Sequence, residues 1–176
     1  MRKFWSVGLL TAAALVVSLA VSAVAQDKAK VKSSQLDMVK KLAGEWTGKG
    51  SHGEHQVDAT VTYKVTGGDS AVVETHFPGT EHEMITVYTL DGDDLVLTHY
   101  CMLGNQPRMK ADRGGDGKKL DFKFTGAGNL KSEKDPHMHD LTIEFVDDDH
   151  IKSTWTFYQD GKAAEKAKFD LKRKKK

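Results

Sequence analysis

Eight histidines and a single cysteine are the side chains best suited to chemistry in this 176-residue chain. Across Leu95–Cys101, alternation places Leu95, Leu97, His99 and Cys101 on one face of a strand. In the segment that opens at His139, the same-face partners are Leu141, Ile143 and Phe145. If these apolar faces line an interior, His99, Cys101 and His139 all point into it. Two imidazoles beside a thiol would suit a transition metal or haem. The alternative is that each imidazole is simply held by a carbonyl or hydroxyl in a mixed interior. Cys101 reads as a buried, inert thiol, because thiol catalysis also needs a base and an oxyanion site and neither is legible.

The segment from Cys101 to Met109 carries Asn105, Gln106 and Arg108 between two strands. A guanidinium there could clamp a carboxylate or phosphate, or cap the end of the fold over an aromatic ring. Glu74 lies on the strand face opposite Ala71, Val73, Thr75 and Phe77, so it becomes a site candidate only if that face turns inward. Other motifs fail on context. Gly48-Lys49-Gly50-Ser51-His52-Gly53 has the spacing of a dinucleotide fingerprint, but a strand follows it where a helix is needed. Gly117-Lys118 lacks the rest of a P-loop, and Asp147-Asp148-Asp149 lacks the glycine and distal Glu of a calcium loop. His82-Glu83 has no second His at metalloprotease spacing, and there is no G-x-S-x-G.

The elements that must position these residues have a period of two. Val57, Ala59, Val61, Tyr63 and Val65 alternate with Asp58, Thr60, Thr62 and Lys64, the pattern of a half-buried strand. Further strands are expected over Ala71–Phe77, Glu83–Leu90, Leu95–Met102, Arg108–Asp112, Leu120–Phe124, His139–Val146, Ile151–Gln159 and Lys162–Lys172. A long connection is expected over 126–136. Asp91-Gly92 and Asp160-Gly161 are hairpin signals. Helical spacing is convincing only for Leu36, Val39 and Leu42, with Ser33-Ser34 as cap and Gly44 as stop. Nine or ten sequential strands without interleaved helices exclude a parallel βαβ fold. A closed up-and-down antiparallel barrel accommodates them best, because closure removes the sheet edges.

Residues 1–25 read as an export signal. Arg2 and Lys3 precede an apolar run from Phe4 to Val21, and Ala23-Val24-Ala25 offers a cleavage site before Gln26. Residues 26–33 form a polar lead-in, and 34–176 a single barrel domain. Removing the leader takes 26 basic against 25 acidic residues to 24 against 25, which argues against a nucleic-acid partner. One cysteine excludes an internal disulfide framework and any multi-thiolate metal site. Once cleaved, the chain is expected to be periplasmic or secreted, with no stable membrane insertion.

Leu42-Ala43-Gly44-Glu45-Trp46, just after the short helix, is similar to the Gly-x-Trp signature of lipocalins and the wider calycin barrels. Joined to Val73-Glu74-Thr75, Phe77-Pro78-Gly79-Thr80, His82-Glu83-Met84, Thr86-Val87-Tyr88 and the block from Leu97-Thr98-His99-Tyr100-Cys101 to Gly104-Asn105-Gln106-Pro107-Arg108-Met109, it resembles a group of exported bacterial lipocalin-like proteins of unknown function. The likeness spans about residues 36–172. It implies an all-β calycin-type barrel with a central cavity and Trp46 packed across its closed end, and it implies no reaction. The function expected is binding rather than catalysis, of a small apolar or amphipathic molecule. Trp46, Leu97, His99, Cys101, His139 and Trp155 are expected to line or floor the cavity, Gln106 and Arg108 to lie near one end, and Glu74 to join if its face is inner. The alternative is a haem- or transition-metal-dependent binding protein or enzyme that uses His99 and His139, with Cys101 or Glu74 nearby.

Overall fold

The computed structural model describes residues 35–114 and 117–175. The leader, the lead-in, the capping serines and half of the 114–117 loop therefore lie outside the described residues. A helix over residues 35–40 precedes ten strands: β1 Gly44–His52, β2 His55–Thr66, β3 Ala71–His76, β4 Met84–Asp91, β5 Asp94–Tyr100, β6 Gln106–Ala111, β7 Lys119–Gly128, β8 His137–Asp147, β9 His150–Gln159 and β10 Lys162–Arg173. Each strand pairs antiparallel with its sequence neighbours, and β1 closes on β10, so the sheet has no edge. This is the all-β, up-and-down antiparallel barrel with a short N-terminal helix that the two-residue period requires. β7 runs further than its apolar pattern suggests, consuming the first part of the expected 126–136 connection.

The alternation sets the lining. Val61 and Tyr63, Leu95 and Leu97, Met109 and Ala111, Leu120 and Phe122, and Leu141 and Ile143 are buried. Residues between them, such as Lys64, Lys110 and Lys123, are exposed. In the β9–β10 hairpin, Asp160 and Gly161 both have positive φ, 55° and 73°, as a type I′ turn demands.

The two ends of the barrel differ. At the end where β1 begins and β10 finishes, Leu36, Val39 and Leu42 of the helical segment are buried with Trp46. The Trp46 indole Nε1–H donates to the Leu42 carbonyl at 2.7 Å. The Arg173 guanidinium lies 4.3 Å from the centre of the Trp46 ring and donates to the Ala43 and Lys41 carbonyls at 2.8 and 2.7 Å. That contact combines cation–π attraction with satisfaction of carbonyls left open where the helix ends. This end is closed. The opposite end carries the turns 52–55, 76–84, 100–106, 128–137 and 159–162.

Gly48 and Gly50 have a packing role in place of the phosphate role their spacing evokes. A β-carbon on Gly48 would run into the Asp170 carbonyl of β10, and one on Gly50 would come within 2.9 Å of the Phe169 ring. Glycine at both positions lets β10 close tightly on β1, with Phe169 lying across the gap. Gly48→Ala is expected to cost roughly 1–3 kcal/mol, read as a lowered urea midpoint. An unchanged midpoint would show that the β1–β10 seam has slack.

Candidate functional site

The inner face of β3 is Val72, Glu74 and His76, all buried, while Ala71, Val73 and Thr75 are less so. The condition set for Glu74 is therefore met. Tyr63, Glu74, Thr86 and His99 are successive register partners across β2, β3, β4 and β5. Four neighbouring strands thus present one polar side chain each at a single level of an otherwise apolar interior.

Glu74 is 2 % exposed. Its Oε1 accepts from the Tyr63 hydroxyl at 2.7 Å and from His76 Nε2 at 2.9 Å, and its Oε2 accepts from the Tyr88 hydroxyl at 2.6 Å. Burial alone would push this carboxyl upward. The neighbouring His76 charge and the hydrogen bonds from His76, Tyr88 and Tyr63 outweigh it and hold the pKa below the ordinary value of 4.5. Burial, followed by the Glu74 charge, raises both tyrosines well above 10, so they remain donors. His76 Nε2 must carry the proton it gives to an acceptor-only carboxylate. Its Nδ1 is buried with no partner among the described residues.

His99 sits at the same level, 2 % exposed. Its Nδ1 shares a 2.9 Å hydrogen bond with the Thr86 hydroxyl, and its ring packs on Trp155 at 4.7 Å between centroids. Burial is the main cause of a pKa lowered to about 4, with His76 adding to the effect and Glu74 opposing it. The His99 ring is therefore neutral at pH 7. Next to it, at the end opposite the helix, a cavity of about 40 Å³ is lined by His76, Met84, His99, Met138, Trp155, Ala167 and Phe169. Large side chains, among them Tyr88, Phe122, Leu97 and Met109, occupy the interior further down. A water needs about 10–15 Å³ measured in this way, so the space holds about three waters or one compact group.

The nine residues singled out by sequence separate into groups. Glu74, Leu97, His99 and Trp155 are inside the barrel, and Trp155 and His99 line the cavity. Trp46 plugs the closed end instead of flooring this cavity. Cys101 is half-buried just beyond β5, where its backbone closes a turn with Gly104 and Asn105, and burial raises its thiol pKa. Gln106 Nε2 donates to the Gly104 carbonyl, and Arg108 is exposed between the inward Pro107 and Met109. Asn105 ties this loop to the Pro136 carbonyl at 2.8 Å. The polar density of the segment thus serves mainly to hold two rim loops together.

His139 departs from the expected pairing with His99. A register shift in β8 between Met138 and Asp140 leaves it without a strand partner on β9. Its ring stacks on Tyr158 at 3.7 Å and on Phe124 at 4.8 Å, and Met138 reaches the cavity instead. Simple alternation cannot anticipate a bulge. His76, Met84 and Met138 are cavity residues that the sequence reading passed over. His76 was legible as the same-face partner of Glu74 two positions on. Met138 was hidden by the same register shift that removed His139.

The neutral His99 has a consequence for acid stability. The unfolded imidazole titrates near 6.5 and the folded one near 4, so between those values the unfolded chain takes up a proton that the barrel refuses. Stability is present above pH 6.5 and is lost as pH falls toward 4, by about 3 kcal/mol in all. His99→Gln, which retains a hydrogen-bonding group toward Thr86, should flatten the urea midpoint between pH 7 and pH 5 in metal-free buffer. Parallel curves for the two proteins would contradict the assignment.

No family model matches the chain, and no curated protein matches it significantly. Among solved structures it is similar to Rv2717c from M. tuberculosis, with a TM-score of 0.58 and 15% identity over 80% of this chain and 97% of that one. It is also similar to a protein of unknown function from the DUF3598 family of Nostoc punctiforme, with a TM-score of 0.51 and 13% identity over 77% of this chain. The match takes in 49% of the latter protein, so this chain corresponds to about half of it. At such identities the likeness establishes the shared barrel fold and nothing further.

Proposed function

We propose that the chain is an exported, calycin-type binding barrel that receives a small guest at its open end. The observation that carries this reading is the cavity itself. Met84, Met138, Trp155, Ala167 and Phe169 line it together with the rings of His76 and His99, and the His76 Nδ1 is buried without a partner among the described residues. An enclosed apolar surface of this kind is what gives a ligand site its affinity for a small apolar group. Export rests on the leader pattern of residues 1–25. The calycin assignment is supported by the short helix and by Trp46 beneath Arg173 at the closed end.

The size of the cavity narrows the guest. At about 40 Å³ it suits one compact group and lies far below what a haem or a long acyl chain occupies. An amphipathic molecule would have to displace Met84 and Met138, which are half-buried at the mouth and have the flexible side chains best able to move aside. A metal reading retains His99, but its companion on the cavity wall is His76, since His139 is engaged with Tyr158 and Phe124.

Xenon is a suitable probe of this space, since it enters small apolar cavities without needing a specific contact. A saturable change in the 129Xe resonance is expected on adding the protein, and it should vanish in Ala167→Leu, which extends a side chain into the cavity. Identical responses from the two proteins would overturn the reading.

A further inference from the structure

We propose that the outer wall formed by β3, β4 and β5 is a peripheral docking surface for the interface of an anionic lipid bilayer. The inference goes beyond the guest-binding reading and concerns the outside of the barrel. Alternation turns Val72, Glu74 and His76 inward on β3, and therefore Ala71, Val73 and Thr75 outward. By the same rule Ile85, Val87 and Thr89 of β4 and Val96, Thr98 and Tyr100 of β5 face out. Nine neighbouring outer positions thus carry no charge. The outer faces of other strands do carry charge, as with Lys119 and Lys123 on β7 and Lys168 and Lys172 on β10.

Cations flank this wall. Register aligns Lys64, Val73, Val87, Thr98 and Arg108 in one row across β2 to β6. Lys64 and Arg108 are exposed, and neither has an ion-pair partner among the described residues. Ten strands share one full turn of the closed wall, so each strand turns the outward direction by about 36°. Both cations therefore stand two strands, or about 72°, from the direction in which Val87 points. With the β4 ridge dipped into the acyl boundary, their long side chains reach sideways at the depth of the lipid phosphates. An apolar centre between cationic flanks matches an anionic lipid interface in both polarity and charge.

Shape and charge disfavour a second copy of the chain. At the strand spacing and two-residue repeat of a sheet, the nine positions cover about 300 Å² of wall, well under the roughly 800 Å² per partner of a standard protein interface. Two rigid convex walls would share less still, whereas lipid conforms to a ridge. A two-fold axis along or across the strands would also set the cations of one copy against those of the other. The open-end half of the wall is the better anchor. Tyr100, Met102 and Leu103 are exposed there, and the turn bearing them is braced by Asn129 and Asn105, which donate to the Gly104 and Pro136 carbonyls at 2.7 and 2.8 Å. Of the acids in the nearby 76–84 turn, Glu83 accepts from the Gly79 amide and Glu81 lies 3.8 Å from His82 Nε2. At the opposite end the β4 ridge stops at Asp91, in register with Asp94. That carboxylate pair tilts the barrel so that its open end leans toward the lipid.

The test is co-sedimentation of the purified protein with vesicles of phosphatidylglycerol and phosphatidylcholine in equal parts, against vesicles of phosphatidylcholine alone. Binding is expected to the anionic vesicles, and it should fall steeply as salt is raised. Lys64→Gln/Arg108→Gln should weaken it about 25-fold, at roughly fivefold for each cation near the surface. Val73→Thr/Val87→Thr keeps side-chain shape and strand propensity, and should weaken binding several-fold with an unchanged circular dichroism spectrum. No binding to the anionic vesicles, equal binding to both kinds, or parent-like binding by either double variant overturns the proposal. So does a parent dimer in sedimentation velocity that Val87→Asp converts to monomer, since the wall would then belong to a second copy.

Discussion

A carboxylate enclosed in an apolar barrel is the constraint around which this interior is arranged. An isolated ion there would be untenable, since transfer of a charge from water into a medium of low polarity costs far more than a domain's whole stability. Glu74 is tolerated because two tyrosine hydroxyls and one imidazole surround it at 2.6–2.9 Å. Those partners come from β2, β3 and β4, so the cluster also pins three consecutive strands at one level. Loss of one partner leaves the charge less well compensated, a defect that commonly costs a few kcal/mol. A carboxylate demanding this much support is an expensive way to fill space. It also fixes the orientation of the His76 ring through the Nε2 hydrogen bond.

The barrel's two ends divide the labour. At the helix end, Trp46, Arg173 and Leu42 form a plug in which every group named has a partner. At the other end, His76, Asn105 and His137 each keep a buried polar atom without a partner among the described residues, and the flexible Met84 and Met138 stand at the cavity. The same architecture thus supplies a rigid floor and an adaptable mouth. The interior between them is occupied by aromatic and aliphatic side chains, which confines any guest to the upper level. The spacious central cavity that the family resemblance implies is replaced by filled interior and a small apolar space at the open end.

Much of this was legible in the residues. Alternation over Val57–Val65 specified the strand and, for Ala59, Val61 and Tyr63, the lining as well, and Asp160-Gly161 specified a hairpin, because both depend on local geometry. His99 was placed inside correctly for the same reason. His139 was not, because the register shift beside it breaks the alternation that Leu141 and Ile143 still follow. Arg108 and Gln106 looked like ligands because their chemistry is versatile, yet their partners are set by which loops meet at the rim, and that is a long-range fact. Glu74 was the informative ambiguity. A strand with polar residues on one side and apolar ones on both gives no signal of which face is inner until its neighbours are in place.

Carbon-13 NMR of the Glu74 carboxyl, identified by its disappearance in Glu74→Gln and followed from neutral to acid pH, tests the account most directly. The buried group should be ionised at pH 7 and should begin to protonate only below the ordinary 4.5. A carboxyl that is already protonated at neutral pH would mean that the polar cluster holds a neutral acid.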